Sequence, residues 1–119
     1  MSNFEYLLFI QDKFLFIDNF INIINDLKKE YDYILIDTSS NYKNKYFKKI
    51  LEISDNIFFI IVPTICEIKK AIDFFEIIKE DYKVPIEKIR LIVNKENNYS
   101  IDSNIIKKIF GIKKINRYC

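Results

Sequence analysis

The sequence of 119 residues contains no histidine and no tryptophan, and it has one glycine, two prolines and two cysteines. Without histidine, Ser-His-Asp triads, Cys-His dyads and histidine-ligated zinc sites are excluded. The two cysteines, Cys66 and Cys119, lack the close spacing of metal ligands. Because so few cysteines favour a reducing compartment, we expect a cytoplasmic protein.

Charge and hydropathy exclude further classes of protein. Nineteen basic against 17 acidic residues give a net charge of +2, which provides no electrostatic footprint for nucleic acid. The longest apolar run, Ile57 to Val62, ends at Pro63 and is far shorter than the ~20 residues that span a bilayer. We therefore expect neither a transmembrane segment nor a secretory signal, whereas peripheral membrane association stays open.

The chain is half hydrophobic, and its apolar residues alternate between strand and helix patterns. Runs rich in β-branched and aromatic residues predict five strands, and apolar residues at helical spacing between them predict four helices. The strand runs are apolar throughout, which is typical of a parallel sheet covered on both faces. The sequence predicts an α/β fold, an open, mostly parallel sheet of about five strands with helices on both faces, in a single domain or half-domain over residues 1–119. The predicted strands are 4–10, 33–36, 57–62, 89–93 and 114–116, and the predicted helices lie around 17–27, 46–51, 68–78 and 105–109.

Ligands of open α/β sheets bind at the carboxyl ends of the strands, so the residues after each predicted strand are the site candidates. Asp37 and Thr38 follow the second strand, in the stretch KEYDYILIDTSSN. A carboxylate held rigidly at this position can anchor a hydrated magnesium ion next to phosphate oxygens. The alternative is that Asp37 or Ser39 caps a helix that starts near Tyr42.

Asn94 follows the fourth predicted strand and is the second candidate. Its side-chain amide carries a donor and an acceptor side by side and can pair with the edge of a purine, although asparagine is also a common turn residue. Pro63-Thr64 is interpreted as a strand stop, and Gly111 as a left-handed helix cap. Three acidic residues on the third helix are expected to face solvent without a catalytic role: Glu67, Asp73 and Glu76.

Four stretches, taken together, carry a resemblance to a known family. They are YDYILIDT at 31–38, Ser54-Asp55-Asn56 before the strand that ends in Pro63, PIEKIRLIVN at 85–94, and Ile101-Asp102 with Ile105, Ile109 and Gly111. In order and spacing they resemble the later half of the MinD/ParA family of P-loop ATPases, most closely the CpaE/TadZ branch linked to pilus assembly. The resemblance implies a partial P-loop NTPase-like fold, with Asp37 as the Walker B residue that reaches magnesium through water, Thr38 beside it at the nucleotide, and Asn94 recognising adenine.

The sequence departs from that family at the phosphate site. The Walker A loop of the family is a glycine-rich turn with a lysine and a hydroxyl residue, whose backbone amides hold the phosphates. No glycine precedes Gly111, and Ser39-Ser40-Asn41 stands where the family usually has proline and glycine. We therefore expect no cofactor for this chain alone, ATP and magnesium only if a Walker A segment is supplied, and no catalytic residue.

Three functional hypotheses follow. The preferred one is a non-catalytic MinD/ParA-like module of pilus or septum-placement type, which works through a protein partner or as a homodimer. The second is an ATP-binding half-domain completed by a missing N-terminal segment or a partner, so that enzyme activity stays open. The third is a receiver-like signalling domain phosphorylated on Asp37, with Thr64 as the switch hydroxyl and Gln11-Asp12 near the acidic pair. The spacing disagrees with this hypothesis, because one predicted helix separates the first strand from Asp37, whereas receivers have a further strand and helix there.

Overall fold

The computed structural model describes residues 7–11, 20–38, 47–113 and 115–118, with backbone alone for 7–11. The chain divides into two compact units, Met1–Ile50 and Leu51–Cys119. Helix α2, Phe47–Ile53, crosses the boundary between them in sequence. Each unit contains parallel strands connected through helices, so the predicted α/β class is confirmed. Within the described residues there are five strands, and they lie in two sheets.

The first unit contains strand β1, Leu7–Gln11, helix α1, Phe20–Leu27, and strand β2, Tyr33–Asp37. The two strands pair in parallel, with Leu7 opposite Tyr33 and Gln11 opposite Asp37. Phe20 and Ile24 lie four positions apart in α1, and both are buried. This spacing places them on one face of the helix, as the periodicity predicts.

The second unit contains strands β3, Ile57–Ile61, β4, Ile89–Val93, and β5, Ile115–Arg117. They form a sheet in the order β3-β4-β5, in which every pairing is parallel. A π-helical turn, Ile77–Asp81, extends the first of its two long helices. A 3₁₀ turn, Ile86–Lys88, leads into the middle strand. Across the described residues, no helix has the length and apolar content needed to cross a membrane. The two long helices are α3, Ile65–Glu76, and α4, Ser103–Phe110.

Capping residues fix where α3 and α4 begin and end. The Thr64 hydroxyl accepts a hydrogen bond from the Glu67 N–H at 3.3 Å, at the start of α3. The Asp102 carboxylate accepts one from the Asn104 N–H at 2.7 Å, at the start of α4. Gly111 ends α4 with φ of +66°, which confirms the predicted left-handed cap.

Four phenylalanines form the centre of the core of the second unit. The ring of Phe59 in β3 contacts Phe74 and Phe75 of α3, at centroid distances of 5.6 and 5.5 Å. It also contacts Phe110 of α4 at 6.0 Å, and Phe75 and Phe110 meet edge to face at 5.1 Å. Since these rings come from three elements, they hold α3 and α4 on the same face of the sheet.

The two faces of β3 differ in burial, although its sequence is apolar throughout. Phe59 and Ile61 are buried, whereas Phe58 and Ile60 are 51% and 63% exposed. Successive side chains of a strand point to opposite faces, and the helices cover the face of Phe59. In β4 the same alternation buries three residues: Ile89, Leu91 and Val93.

Of the apolar pattern expected for helix α4, Ile105, Ile106 and Ile109, only Ile106 is buried. Ile105 and Ile109 are 51% and 42% exposed, whereas Ile106 and Phe110 are almost completely buried. The spacing of four residues places Ile106 and Phe110 one above the other, on the face that contacts the phenylalanine cluster.

The neighbouring isoleucines of α4 give a matched test of this packing. Ile106→Ala removes a side chain that is 0% exposed, so we expect it to lower the free energy of unfolding by about 2–5 kcal/mol. Ile105→Ala removes an exposed side chain and should change the free energy by less than about 0.5 kcal/mol. Urea unfolding followed by circular dichroism measures both. Equal losses in the two variants would contradict the assigned orientation of α4.

Candidate functional site

The first candidate position is the carboxyl end of β2. Asp37 is the last residue of that strand and lies opposite Gln11, the last residue of β1. Because the pairing is parallel, both strands end at the same edge of the sheet. The Asp37 side chain is exposed and Thr38 is half-buried. The strand therefore presents a carboxylate to solvent, followed by a hydroxyl residue.

The metal chemistry available at Asp37 is limited. Within residues 20–38, 47–113 and 115–118, no three His, Cys, Asp or Glu side chains gather to hold a metal ion. Magnesium is commonly held by one or two carboxylates, with waters and substrate phosphates in the other positions. Asp37 stays a predicted ligand of a magnesium ion of this kind. The alternative capping role falls on Ser39 and Tyr42, which lie outside the described residues.

The second candidate position is the carboxyl end of β4, at Asn94. The Asn94 N–H donates to the Ile61 carbonyl at 2.8 Å, which continues the pairing of β4 with β3. The side chain is half-buried, and its amide makes no hydrogen bond to any residue that the structure describes. Both its donor and its acceptor are thus available to a ligand.

The turn that follows is built on Asn97 rather than Asn94. The Asn97 side-chain oxygen accepts from the Tyr99 N–H at 2.8 Å, and the Asn97 N–H donates to the Ser100 hydroxyl at 2.7 Å. This is the local bonding of an Asx turn. Asn97 therefore makes the side-chain bonds of a turn, and the turn interpretation of Asn94 stays an alternative to its ligand role.

Backbone hydrogen bonds gather the ends of β3, β4 and β5 at one edge of the sheet. The Ile101 N–H donates to the Pro63 carbonyl at 3.1 Å, so the loop after β4 is tied to the end of β3. The Tyr118 N–H donates to the Val93 carbonyl at 2.8 Å, and the Glu96 N–H donates to the Tyr118 carbonyl at 3.0 Å. The backbone on both sides of Asn94 is thereby fixed.

Arg117, at the end of β5, secures the same loop through its guanidinium group. Its Nε donates to Glu96 Oε2 at 2.8 Å, and one terminal nitrogen donates to Glu96 Oε1. The other terminal nitrogen donates to the Ser103 hydroxyl at 2.9 Å, in the first turn of α4. The pairing with Glu96 is bidentate, which gives directional as well as electrostatic stabilisation.

Sequence reasoning missed this arginine, although a signal was present. Arg90 and Arg117 are the two arginines in a chain whose other basic residues are lysines. Arginine has a planar fork that suits fixed hydrogen-bond geometry better than lysine. The other arginine behaves in the same way, since Arg90 Nε donates to the Asn56 side-chain oxygen at 3.1 Å.

The remaining candidates have structural roles. The Thr64 hydroxyl caps α3, and Glu67 makes an exposed ion pair with Lys70 at 3.5 Å. Asp73 and Glu76 are exposed on α3, as predicted. For the receiver-like alternative, Gln11 lies opposite Asp37 in the register, whereas Asp12 lies outside the described residues.

No protein-family profile matches the chain, and no curated protein matches it in sequence. Solved structures do match it. A ParA family ATPase from Chlorobium tepidum TLS is 26% identical with a TM-score of 0.67, over 82% of this chain and 39% of that one. A chain of the MinC:MinD cell division protein complex from Aquifex aeolicus is 15% identical with a TM-score of 0.69, over 93% of this chain and 67% of that one.

These matches show that the chain has a MinD/ParA-like fold, which confirms the P-loop NTPase-like architecture expected from the sequence. The chain spans well under half the length of the ParA family ATPase.

The Arg117–Glu96 pair can be tested by a double-mutant cycle with Arg117→Gln and Glu96→Gln. The Glu96 side chain is only 18% exposed, and the pair is bidentate, so we expect a coupling free energy of about 1 kcal/mol that decreases at high salt. Urea unfolding of the four proteins measures it.

The exposed pair of Glu67 and Lys70 is the control. Its side chains are 48% and 76% exposed, and the same cycle should give no more than about 0.5 kcal/mol. A coupling between Arg117 and Glu96 that does not exceed the control value would contradict the structural role assigned to the pair.

Proposed function

We propose that the chain is a MinD/ParA-like protein that does not turn over nucleotide and acts through protein contacts as a positioning or assembly module. One observation carries the proposal. The fold retains Asp37 and Asn94 at strand ends, whereas the single glycine of the sequence, Gly111, caps a helix.

The chemistry of phosphoryl transfer explains why this combination matters. Catalysis in P-loop ATPases depends on positioning the phosphates and stabilising their charge, through loop amides, a lysine and magnesium. A glycine-rich loop is needed because the backbone must approach the phosphates closely. These 119 residues contain no such loop. Asp37 is therefore placed for a magnesium ion whose phosphate ligands the chain does not itself hold.

The cellular role that we propose is of pilus or septum-placement type, in the cytoplasm. The stretches at 31–38 and 85–94 resemble the CpaE/TadZ branch, which is linked to pilus assembly. One of the matching structures is a cell division complex of MinC and MinD, which supports a partner protein for the present chain as well. A homodimer would also supply protein contacts.

A second candidate function is an ATP-binding half-domain, completed by a Walker A segment from outside these residues. The hydrogen bonds around Asn94 favour keeping it, because a strand-end amide without a partner among the described residues can still recognise adenine. In this case Asp37 would bind magnesium through water and Thr38 would lie next to the nucleotide.

Calorimetric titration of the 119-residue protein with magnesium and ATP tests the proposed function. The proposed function predicts no saturable heat of binding up to millimolar ATP and no release of phosphate, because the phosphates have no cradle. Asp37→Asn should leave both results and the circular dichroism spectrum unchanged.

Micromolar ATP binding would contradict the proposed function. If that binding is lost in Asp37→Asn and Asn94→Ala, the two strand ends bind nucleotide without a Walker A segment. Asp73→Asn is the matched control, because it neutralises an exposed carboxylate on α3 that has no place in either account.

A further inference from the structure

Charge is distributed unevenly along the chain. Residues 103–119 contain five basic residues and no acidic one, whereas residues 51–102 contain seven basic and ten acidic residues. The first unit, Met1–Ile50, has seven of each sign, so it supplies no excess of negative charge to match the basic stretch. The positive charge of the chain is therefore concentrated in α4, β5 and the turn between them.

Two lysines of this stretch are available to a partner. Lys108, in the last turn of α4, and Lys113, after the Gly111 cap, are exposed. Neither makes an ion pair or a side-chain hydrogen bond with any residue that the structure describes. The helix dipole favours a lysine in the last turn, which accounts for Lys108 alone. Arg117 differs from both, because Glu96 and Ser103 already hold its guanidinium group.

Exposed apolar side chains accompany these lysines on α4. Ile105 is 51% exposed and Ile109 is 42% exposed. Residues three or four positions apart are neighbours on a helix surface, so Ile105 lies beside both Ile109 and Lys108. We call Ile105, Lys108, Ile109 and Lys113 the α4 surface. It combines apolar contact area with positive charge and contains no carboxylate.

This combination favours one kind of occupant. An amphipathic protein segment can place carboxylates at the lysines and apolar side chains at the isoleucines. A nucleic acid would use the lysines through its phosphates but would gain little from the isoleucines. A helix that binds a bilayer buries a broad apolar face in it, whereas the main apolar stripe of α4, Ile106 and Phe110, is already buried in the core.

We propose that the α4 surface is the docking site for an acidic, amphipathic helix of a partner protein. The carboxylates of that helix pair with Lys108 and Lys113, and its apolar side chains contact Ile105 and Ile109. The inference rests on the proposed function and deepens it, because it names the chemistry of the protein through which the module acts. Since the surface is small and charged, we expect weak binding that decreases as salt is added.

Fluorescence anisotropy with a labelled synthetic peptide tests the docking site. The probe is an amphipathic helical peptide with leucine along one face and glutamate along the other, and its matched control has lysine in place of glutamate. The acidic peptide should bind saturably to the 119-residue protein and lose affinity at high salt. The lysine peptide should not bind, because it meets charge of the same sign.

Charge reversal assigns the binding to the α4 surface. Lys108→Glu combined with Lys113→Glu should weaken the acidic peptide by about tenfold or more and allow the lysine peptide to bind. Lys69→Glu combined with Lys83→Glu is the matched control, since both lysines are exposed elsewhere in the second unit and the change in net charge is the same. It should leave the affinity for the acidic peptide close to that of the wild-type protein.

A second variant tests the apolar part of the surface. Ile105→Ser combined with Ile109→Ser should weaken the acidic peptide but keep the salt dependence, because both lysines remain. Circular dichroism checks that each variant folds. The nucleotide titration tests Asp37 and Asn94, which none of these variants changes, so a failure of the docking site is distinguishable from a failure of the proposed function.

Four results would overturn the docking site. The first is no binding of the acidic peptide up to millimolar concentration, and the second is an equal loss in the control with Lys69 and Lys83 reversed. The third is binding of phosphatidylglycerol–phosphatidylcholine vesicles through Lys108 and Lys113 without binding of the peptide, which would identify a lipid surface as the occupant. The fourth is self-association in sedimentation velocity that the same reversal abolishes, which would identify a second copy of this chain.

Discussion

The packing of Phe59 against Phe74, Phe75 and Phe110 is the interaction on which the second unit depends. Each aromatic contact adds about 0.5–1.5 kcal/mol beyond the burial of area, and together they join one strand to two helices. Because α3 and α4 are held on one face of the sheet, their first residues are fixed relative to the strand ends. The contact of Arg117 with Ser103, in the first turn of α4, agrees with this placement.

The same packing produces the asymmetry of the sheet. Helices on the face of Phe59 leave the opposite face of β3 with Phe58 and Ile60 exposed. Parallel sheets are usually covered on both faces, so the exposure of Phe58 and Ile60 departs from that pattern. The strand ends show the opposite condition, since hydrogen bonds around Asn94 fix the backbone closely.

Local patterns were sufficient to predict the types of the elements and the cap at Gly111. The strand at 89–93 and the left-handed conformation of Gly111 were correct because apolar runs and a lone glycine after a helical pattern act locally. The sequence could not predict which face of β3 the helices cover, because the strand is apolar at every position. Without an alternation of polar and apolar residues, neither face is marked as the buried one. The arrangement of five strands in two sheets depends on pairing, which the sequence pattern does not specify.

Tertiary placement also explains the misses around the site. The choice of Ile106 over Ile105 for the core depends on the direction from which α4 meets Phe59 and Phe75. Arg117 and Glu96 are 21 residues apart, on different elements, and nothing local connects them. Asp37 and Asn94, in contrast, were found because strand ends are predictable sites in α/β folds. Their positions at strand ends are confirmed, whereas their binding roles stay predictions.

The central claim is that this chain has a MinD/ParA-like fold without a glycine-rich phosphate-binding loop. The most direct test is a proton–nitrogen correlation spectrum of the labelled protein, titrated with magnesium and a non-hydrolysable ATP analogue. Our account predicts a well-dispersed spectrum in which the amide signals of Asp37, Thr38 and Asn94 do not move. Saturable shifts confined to those residues would contradict it and would show that the strand ends bind nucleotide.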